Sequence, residues 1–397
     1  MTRYFRSAPA SGLADAARLA LEKSWQGEKP LAALRPLGAL YGWGAALRRG
    51  LRARFFPAGR AALPVVSIGN LTVGGSGKTP MCLAVAELLL GAGFRPAVLS
   101  RGYGRRKTPG QSGPLVVSKG EGPLAAPAES GDEPWLMASR LPGLIVVVDA
   151  DRLRGAAAAK DCGADFLILD DGFQQMRLAA DCRVLLVPAE KPFGNQAVLP
   201  AGPLREPLKF HRLADILVTT GADEPSGAAL ALALNRPLFA APYRAVGWRG
   251  PGGGMDLKPL NFLAGRKVAA FCGLARPAGF ERGLAALKLD LRRFTVLADH
   301  QAYDHGVLAE LTRGFLEAGA DCLVTTAKDA VKIPPDFPIE VFSLEMKMEL
   351  NHPAEFLQAL MSLTRRGDAP PQFSGGLNAS AENGHDSLIT LDSFSQA

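Results

Sequence analysis

From residue 64 onward, short and largely apolar runs alternate with stretches of helical spacing. PVVSIG (64–69), RPAVLS (95–100), LIVVVD (144–149), FLILDD (166–171), RVLLV (183–187) and DILVTT (215–220) are rich in β-branched residues and predict buried strands. Such continuous runs suit a parallel sheet covered on both faces. MCLAVAELLLGAG (81–93) predicts a helix between the first two, stopped by its glycines. The alternation is that of an α/β layered domain. Residues 222–266 break the rhythm with GWRGPGGGMD (247–256), whose Gly and Pro mark loops or a boundary.

A second α/β segment follows. KVAAFCG (267–273), RRFTVL (292–297), DCLVTT (321–326) and IEVFSL (339–344) predict strands, and helices are expected from about Pro277 and over 303–319. Residues 366–397 are polar with little apolar pattern, which predicts a disordered tail. The expected organisation is an N-terminal segment 1–60, a larger α/β domain 61–240, a smaller α/β domain 241–365 and the tail 366–397.

Charge changes the picture at one end only. The 397-residue chain carries a net +7, and residues 1–60 alone hold eleven Lys and Arg against three Asp and Glu. Within them, Leu34, Leu37, Leu40, Tyr41, Trp43, Leu47 and Leu51 recur near helical spacing, and Arg48, Arg49, Arg52 and Arg54 cluster behind. A basic amphipathic helix with aromatic residues can lie on an anionic membrane surface. It can equally pack on its own protein with its arginines in water. No nucleic-acid recognition motif accompanies the charge, so no nucleic-acid partner is expected. No apolar run reaches the ~18 residues of a membrane span, and no signal peptide is read at the start. Five cysteines without a CxxC pair fit a reducing compartment. No coiled-coil heptads appear, which leaves the oligomeric state open in the sequence, and a monomer is expected.

The sharpest local chemistry is SIGNLTVGGSGKTP (67–80). A predicted strand enters a glycine-rich loop, and Gly77-Lys78-Thr79 opens a helix. Thr72, Gly74, Gly75, Ser76 and Gly77 form a loop whose backbone amides can curl around phosphates. Lys78 can reach the β- and γ-phosphates and the Thr79 hydroxyl can hold Mg²⁺. The common GxxxxGK[ST] pattern has Gly where Thr72 stands, so the loop is a variant. Asp170 and Asp171 end an apolar strand, as a carboxylate presented to Mg²⁺ does. A regulatory GTPase is disfavoured because the guanine-selecting NKxD is replaced by Ala327-Lys328-Asp329-Ala330.

GNLTVGGSGKTP, LSRGYGRR (99–106), GDEP (131–134), LDDGFQ (169–174), LPAGPLREP (199–207), FCGLARP (271–277), DHQAYD (299–304) and VTTAKDAVKI (324–333) occur in one order. Together they resemble the tetraacyldisaccharide 4′-kinase family, over roughly residues 30–360. Thr72 belongs to that family's own phosphate loop. The resemblance implies a P-loop NTPase-like, mostly parallel α/β domain with a second, smaller α/β domain. It implies transfer of the ATP γ-phosphate to the 4′-hydroxyl of an acylated glucosamine disaccharide 1-phosphate. It further implies a peripheral place on the cytoplasmic face of the bacterial inner membrane, which turns the N-terminal helix towards lipid.

By the same resemblance, Asp132 matches a carboxylate acting as general base and His300 its partner. A free aspartate is a weak base towards a sugar alcohol, and a hydrogen-bonded histidine can orient and tune it. Asp132 as a helix cap and His300 as a surface residue are the plain alternatives. Gln174 and Glu206 match polar positions near the metal, and Tyr103 an active-site tyrosine. Arg152 and Arg205 are candidates to clamp phosphate oxygens. The competing functions are an ATPase switch acting on a protein and a membrane adaptor with a vestigial site. The presence of Lys78, Thr79, Asp132 and Asp170 weakens the adaptor reading.

Overall fold

The computed structural model describes residues 3–6, 21, 24–25, 27, 31–75, 77–103, 105, 113–224, 235–250, 256–274, 277–298 and 303–364. The predicted tail lies outside them.

The β-branched runs form the interior of an eight-stranded sheet. Its strands are β2 (Val65–Gly69), β3 (Pro96–Ser100), β4 (Leu115–Lys119), β5 (Ile145–Val148), β6 (Phe166–Asp170), β7 (Cys182–Pro188), β8 (Ile216–Thr220) and β9 (Leu238–Ala241). The order is β4-β5-β3-β6-β2-β7-β8-β9, parallel except where β4 pairs antiparallel with β5 at one edge. Strand β2, which feeds the glycine loop, lies between β6 and β7. The ends of β2 and β6 therefore place the loop and Asp170 side by side.

Helices cover both faces, as strands buried on two sides require. On one face α2 (Lys78–Gly91) and α3 (Asp132–Arg140) enclose a core of Val66, Ile68, Val85, Leu89, Val98, Val146 and Ile168. On the other, α4 (Arg152–Asp161) packs Ala156 and Ala159 on Ala97, Leu99 and Val147.

A second sheet runs β1-β13-β12-β14-β15-β10-β11. Its strands are β1 (Arg3–Arg6), β10 (Tyr243–Arg249), β11 (Leu257–Lys258), β12 (Lys267–Cys272), β13 (Asp290–Val296), β14 (Cys322–Thr326) and β15 (Val341–Met348). Only β10 and β11 run antiparallel to their neighbours. Helices α5 (Pro277–Ala286) and α6 (His305–Ala318) accompany it.

Two departures from the expected segmentation have simple causes. Residues 3–6 add a parallel edge strand beside β13, so the N-terminal segment also belongs to the second sheet. Helix α7 (Pro353–Thr364) returns to the first sheet. Its buried Phe356 and Leu360, one helical turn apart, close the core beside Leu89 and Val218. Thus 241–365 does not pack as one unit.

The basic segment forms α1 (Arg35–Phe55), with Pro36 in its first turn. Its amphipathicity is inverted. The buried positions are Gly38 and Gly42, and a Cβ there would lie 3.0 Å from Ala201 Cβ and from Val198 Cγ2, respectively. The glycines let the helix backbone close on the 198–201 segment. Leu40 is 65 % and Trp43 66 % exposed, and Leu37, Leu47, Leu51 and Phe55 face water with them. Among the described residues no helix is long and apolar enough to cross a membrane. Gly38→Val should push α1 off this seat at a cost of about 1–3 kcal/mol. Denaturant unfolding and limited proteolysis between residues 31 and 60 would show it; wild-type resistance in both would refute the seat.

Candidate active site

The phosphate loop begins where β2 ends. Gly77 adopts φ +83° at the N-cap of α2, and any Cβ there would meet the Tyr243 hydroxyl at 2.2 Å. Only glycine fits that position. Lys78 and Thr79 then start α2, whose N-terminal end favours anions. Thr72 is buried rather than part of the open cradle. It forms a β-bridge with Leu204, and the Asn70 amide donates to its carbonyl at 2.8 Å. The loop backbone is thus tied to the 203–205 segment, with Val73 N–H donating to the Pro203 carbonyl and Arg205 N–H to the Leu71 carbonyl.

Asp171 is the hub of the charges. Its carboxylate lies 3.7 Å from Lys78 Nζ and accepts from Arg205 Nη1 at 2.8 and 3.0 Å. These cations hold the carboxyl below its ordinary range despite burial. Asp171 itself sits at φ +50°, a left-handed turn that aims it back at the loop. Lys78 Nζ also lies 3.4 Å from Asn70 Oδ1.

Asp170 behaves oppositely. It accepts from Ser100 Oγ at 3.1 Å and lies 3.8 Å from Cys82 Sγ. Burial first, then the charges of Glu133 and Asp171, push its carboxyl up to about 7. The Cys82 thiol is pushed well up by the same burial and by Asp170.

Asp132 is the first residue of α3, and no side-chain cap bond forms there; the cap position is Gly131. The helix-cap alternative therefore lacks its hydrogen bond. Gly102 and Gly131 nest together, with a Cβ on Gly131 falling 3.1 Å from the Tyr103 carbonyl. That contact brings Tyr103, which is exposed, beside Asp132. Asp132 also contributes to raising the phenol of Tyr303, after burial, Asp329 and Cys272. The second sheet thus reaches the GDEP turn. Ser76 and His300 lie outside the described residues.

Arg152 and Glu206 are both held by protein groups. Arg152 is 5 % exposed and donates to the carbonyls of Ser100, at 3.0 Å, and Asp149. Its guanidinium knots strand ends beneath the carboxylates. Glu206 is fully buried and faces Arg49 at 3.0 Å and Arg48 at 4.0 Å, both on α1. These cations hold its carboxylate directly behind Arg205. Arg205 keeps the clamp position through Asp171. Gln174 Nε2 donates to the Asn70 carbonyl at 2.8 Å, and its buried Oε1 has no partner among the described residues.

One carboxylate was quoted in a motif without a role. Asp329 is fully buried. It accepts from the Gly273 amide at 2.8 Å and the Thr326 hydroxyl at 2.7 Å, with Lys332 Nζ at 3.5 Å. It joins FCGLARP to VTTAKDAVKI. Its only legible signal was an acid flanked by Thr326 and Lys332.

A family model described as tetraacyldisaccharide-1-P 4′-kinase matches residues 31–365. The chain belongs to that family. Similar proteins named tetraacyldisaccharide 4′-kinase include one from Desulfatibacillum aliphaticivorans, 38% identical over 85% of this chain and 94% of that one. Another, from Anaeromyxobacter dehalogenans strain 2CP-C, is 42% identical over 79% and 86%. The solved "apo" form of LpxK from Aquifex aeolicus in complex with ATP superposes with a TM-score of 0.67 at 30% identity, covering 84% of this chain and 99% of that one. The chain is accordingly a kinase of mixed α/β fold.

Asp170 gives a pH test. A carboxyl raised from its ordinary 3.8 to about 7 binds its proton more tightly in the folded state. Stability is therefore full below about pH 4 from this group and falls as pH rises towards 7. In the metal-free protein, Asp170→Asn should flatten the fall in unfolding free energy between pH 5 and 7. An unchanged slope would contradict the assigned burial.

Proposed function

We propose that the protein transfers the γ-phosphate of ATP to the 4′-hydroxyl of a tetraacylated glucosamine disaccharide 1-phosphate. The observation that carries this is Lys78 at a helix N-terminus facing Asp171 at the end of the adjacent strand, in a chain of this family. Phosphoryl transfer needs positioning and charge neutralisation above all. Lys78, Arg205 and the α2 N-terminus supply positive potential for the phosphates.

The donor set fits Mg²⁺. Among the described residues no three His, Cys, Asp or Glu side chains form a metal site by themselves. Mg²⁺ is held instead by one or two carboxylates with substrate phosphates and water. Asp170, whose burial beside two other acids calls for a cation, would hold it with Thr79, and the unpartnered Gln174 Oε1 is a further acceptor. The chemistry such an ion would supply there is neutralisation of phosphate charge. Asp132 would receive the acceptor proton, with His300 orienting it, and Tyr103 would line the same mouth.

The lipid side fits α1. Its outward Leu40, Trp43, Leu47 and Leu51 with flanking Arg48, Arg52 and Arg54 match an anionic membrane surface. An open cleft of about 300 Å³ beside it is lined by Arg35, Gly38, Ala39, Gln196, Val198 and Ala201. The protein then works as a peripheral monomer on the cytoplasmic face of the inner membrane.

The test is to supply γ-labelled ATP, Mg²⁺ and the acylated disaccharide 1-phosphate in detergent. Label should appear on the lipid and vanish in Lys78→Ala; label released only as free phosphate would refute the acceptor. Asp132→Ala should lower turnover about 10²–10⁴-fold while ATP affinity stays near wild type. Near-normal turnover would remove Asp132 from the base role. Replacing Leu40, Trp43 and Leu47 together by Ser should release the protein from anionic vesicles on flotation, and continued co-flotation would count against the lipid-facing helix.

A further inference from the structure

The same helix that turns apolar side chains outward turns Arg49 inward. Arg49 Nη2 donates to the Phe173 carbonyl and to Glu206 Oε2, each at 3.0 Å. Its guanidinium also covers the Phe210 ring at 4.9 Å. Both acceptors adjoin the phosphate site. Phe173 lies two residues beyond Asp171, and Glu206 directly follows Arg205. Asp171 and Arg205 are themselves paired at 2.8 Å. One side chain of α1 thus closes a ring whose other members are the two segments that carry the site's charges.

We infer that Arg49 is a positioning residue for phosphoryl transfer, clamping the Asp171–Phe173 and Arg205–Glu206 segments together. The inference rests on the site assigned above. The alternative is that Arg49 merely anchors α1. That helix already has an anchor in Gly38 and Gly42 against Val198 and Ala201. A buried ion pair is also a poor way to gain stability, because desolvation offsets its attraction. Glu206 shows this directly: burial raises its carboxyl, and Arg49 and Arg48 only oppose the rise. What such a pair does well is fix geometry. A planar guanidinium holding a carbonyl and a carboxylate at once sets the distance between two loops.

The fixed distance matters because Lys78, Asp171 and Arg205 act together. If the segments drift apart, Arg205 loses Asp171, and Lys78 loses the carboxylate that aims it. A misplacement of about 1 Å can cost roughly 10²-fold in rate without a comparable loss of binding.

The experiment compares wild type, Arg49→Ala and Arg49→Lys. Turnover on the lipid acceptor in detergent, ATP affinity by direct binding and backbone hydrogen exchange over 169–175 and 203–208 are measured on each. Arg49→Ala should lose about ten- to a hundredfold in kcat while ATP binding changes less than about threefold, and both segments should exchange faster. Arg49→Lys keeps the charge opposite Glu206 and should recover part of kcat and of the protection. Wild-type kcat and wild-type exchange in folded Arg49→Ala would overturn the inference. So would faster exchange confined to residues 35–55, which would make Arg49 an anchor of α1 alone. If the wild type labels no lipid, the site reading fails, and the exchange data still decide whether Arg49 clamps the two segments.

Discussion

Asp171 between Lys78 and Arg205 is the contact on which the site depends. Without it, two cations would stand side by side at a helix N-terminus that already repels positive charge. The carboxylate holds both, at 3.7 and 2.8 Å. The strand order makes this possible, since β6 delivers Asp171 next to the loop that β2 delivers. Asp170, one residue earlier, points inward to Ser100 and Cys82, and among the described residues it forms no ion pair. Adjacent aspartates therefore differ sharply in proton affinity, one depressed by cations and one raised by burial and neighbouring acids. Such separation of like groups is how a site assigns different tasks to the same residue type.

The second constraint is the inverted helix. A helix on a soluble protein normally hides its apolar stripe. Here Gly38 and Gly42 make the protein contact, and the leucines and Trp43 remain outside. The arrangement gives an exposed apolar face on a helix that also reaches, through Arg49 and Glu206, the segments bearing Arg205 and Asp171.

The buried strands were legible because each is an uninterrupted apolar run. The glycine loop and the Asp170–Asp171 pair were legible because phosphate chemistry requires them in that order. Pairings set by distance in space were not. Residues 3–6 carry no signal that they would join β13. Phe356 and Leu360 announce an amphipathic helix but not which sheet it covers. Arg152 was a candidate by residue type and Glu206 by its motif, and the protein partners of either show only in three dimensions. Asp329 was passed over for the same reason, since its partner Gly273 lies 56 residues away.

The most direct test of the Asp171 account is nucleotide binding to Asp171→Asn, measured by calorimetry with and without Mg²⁺, beside lipid phosphorylation. Removing one negative charge about 4 Å from Lys78 is worth several kcal/mol at most in a partly wet site. Metal-free ATP should therefore bind more tightly than to wild type, as Lys78 and Arg205 are freed for phosphate, while turnover with Mg²⁺ collapses. Weaker metal-free binding, or turnover that survives, would contradict the role given to Asp171.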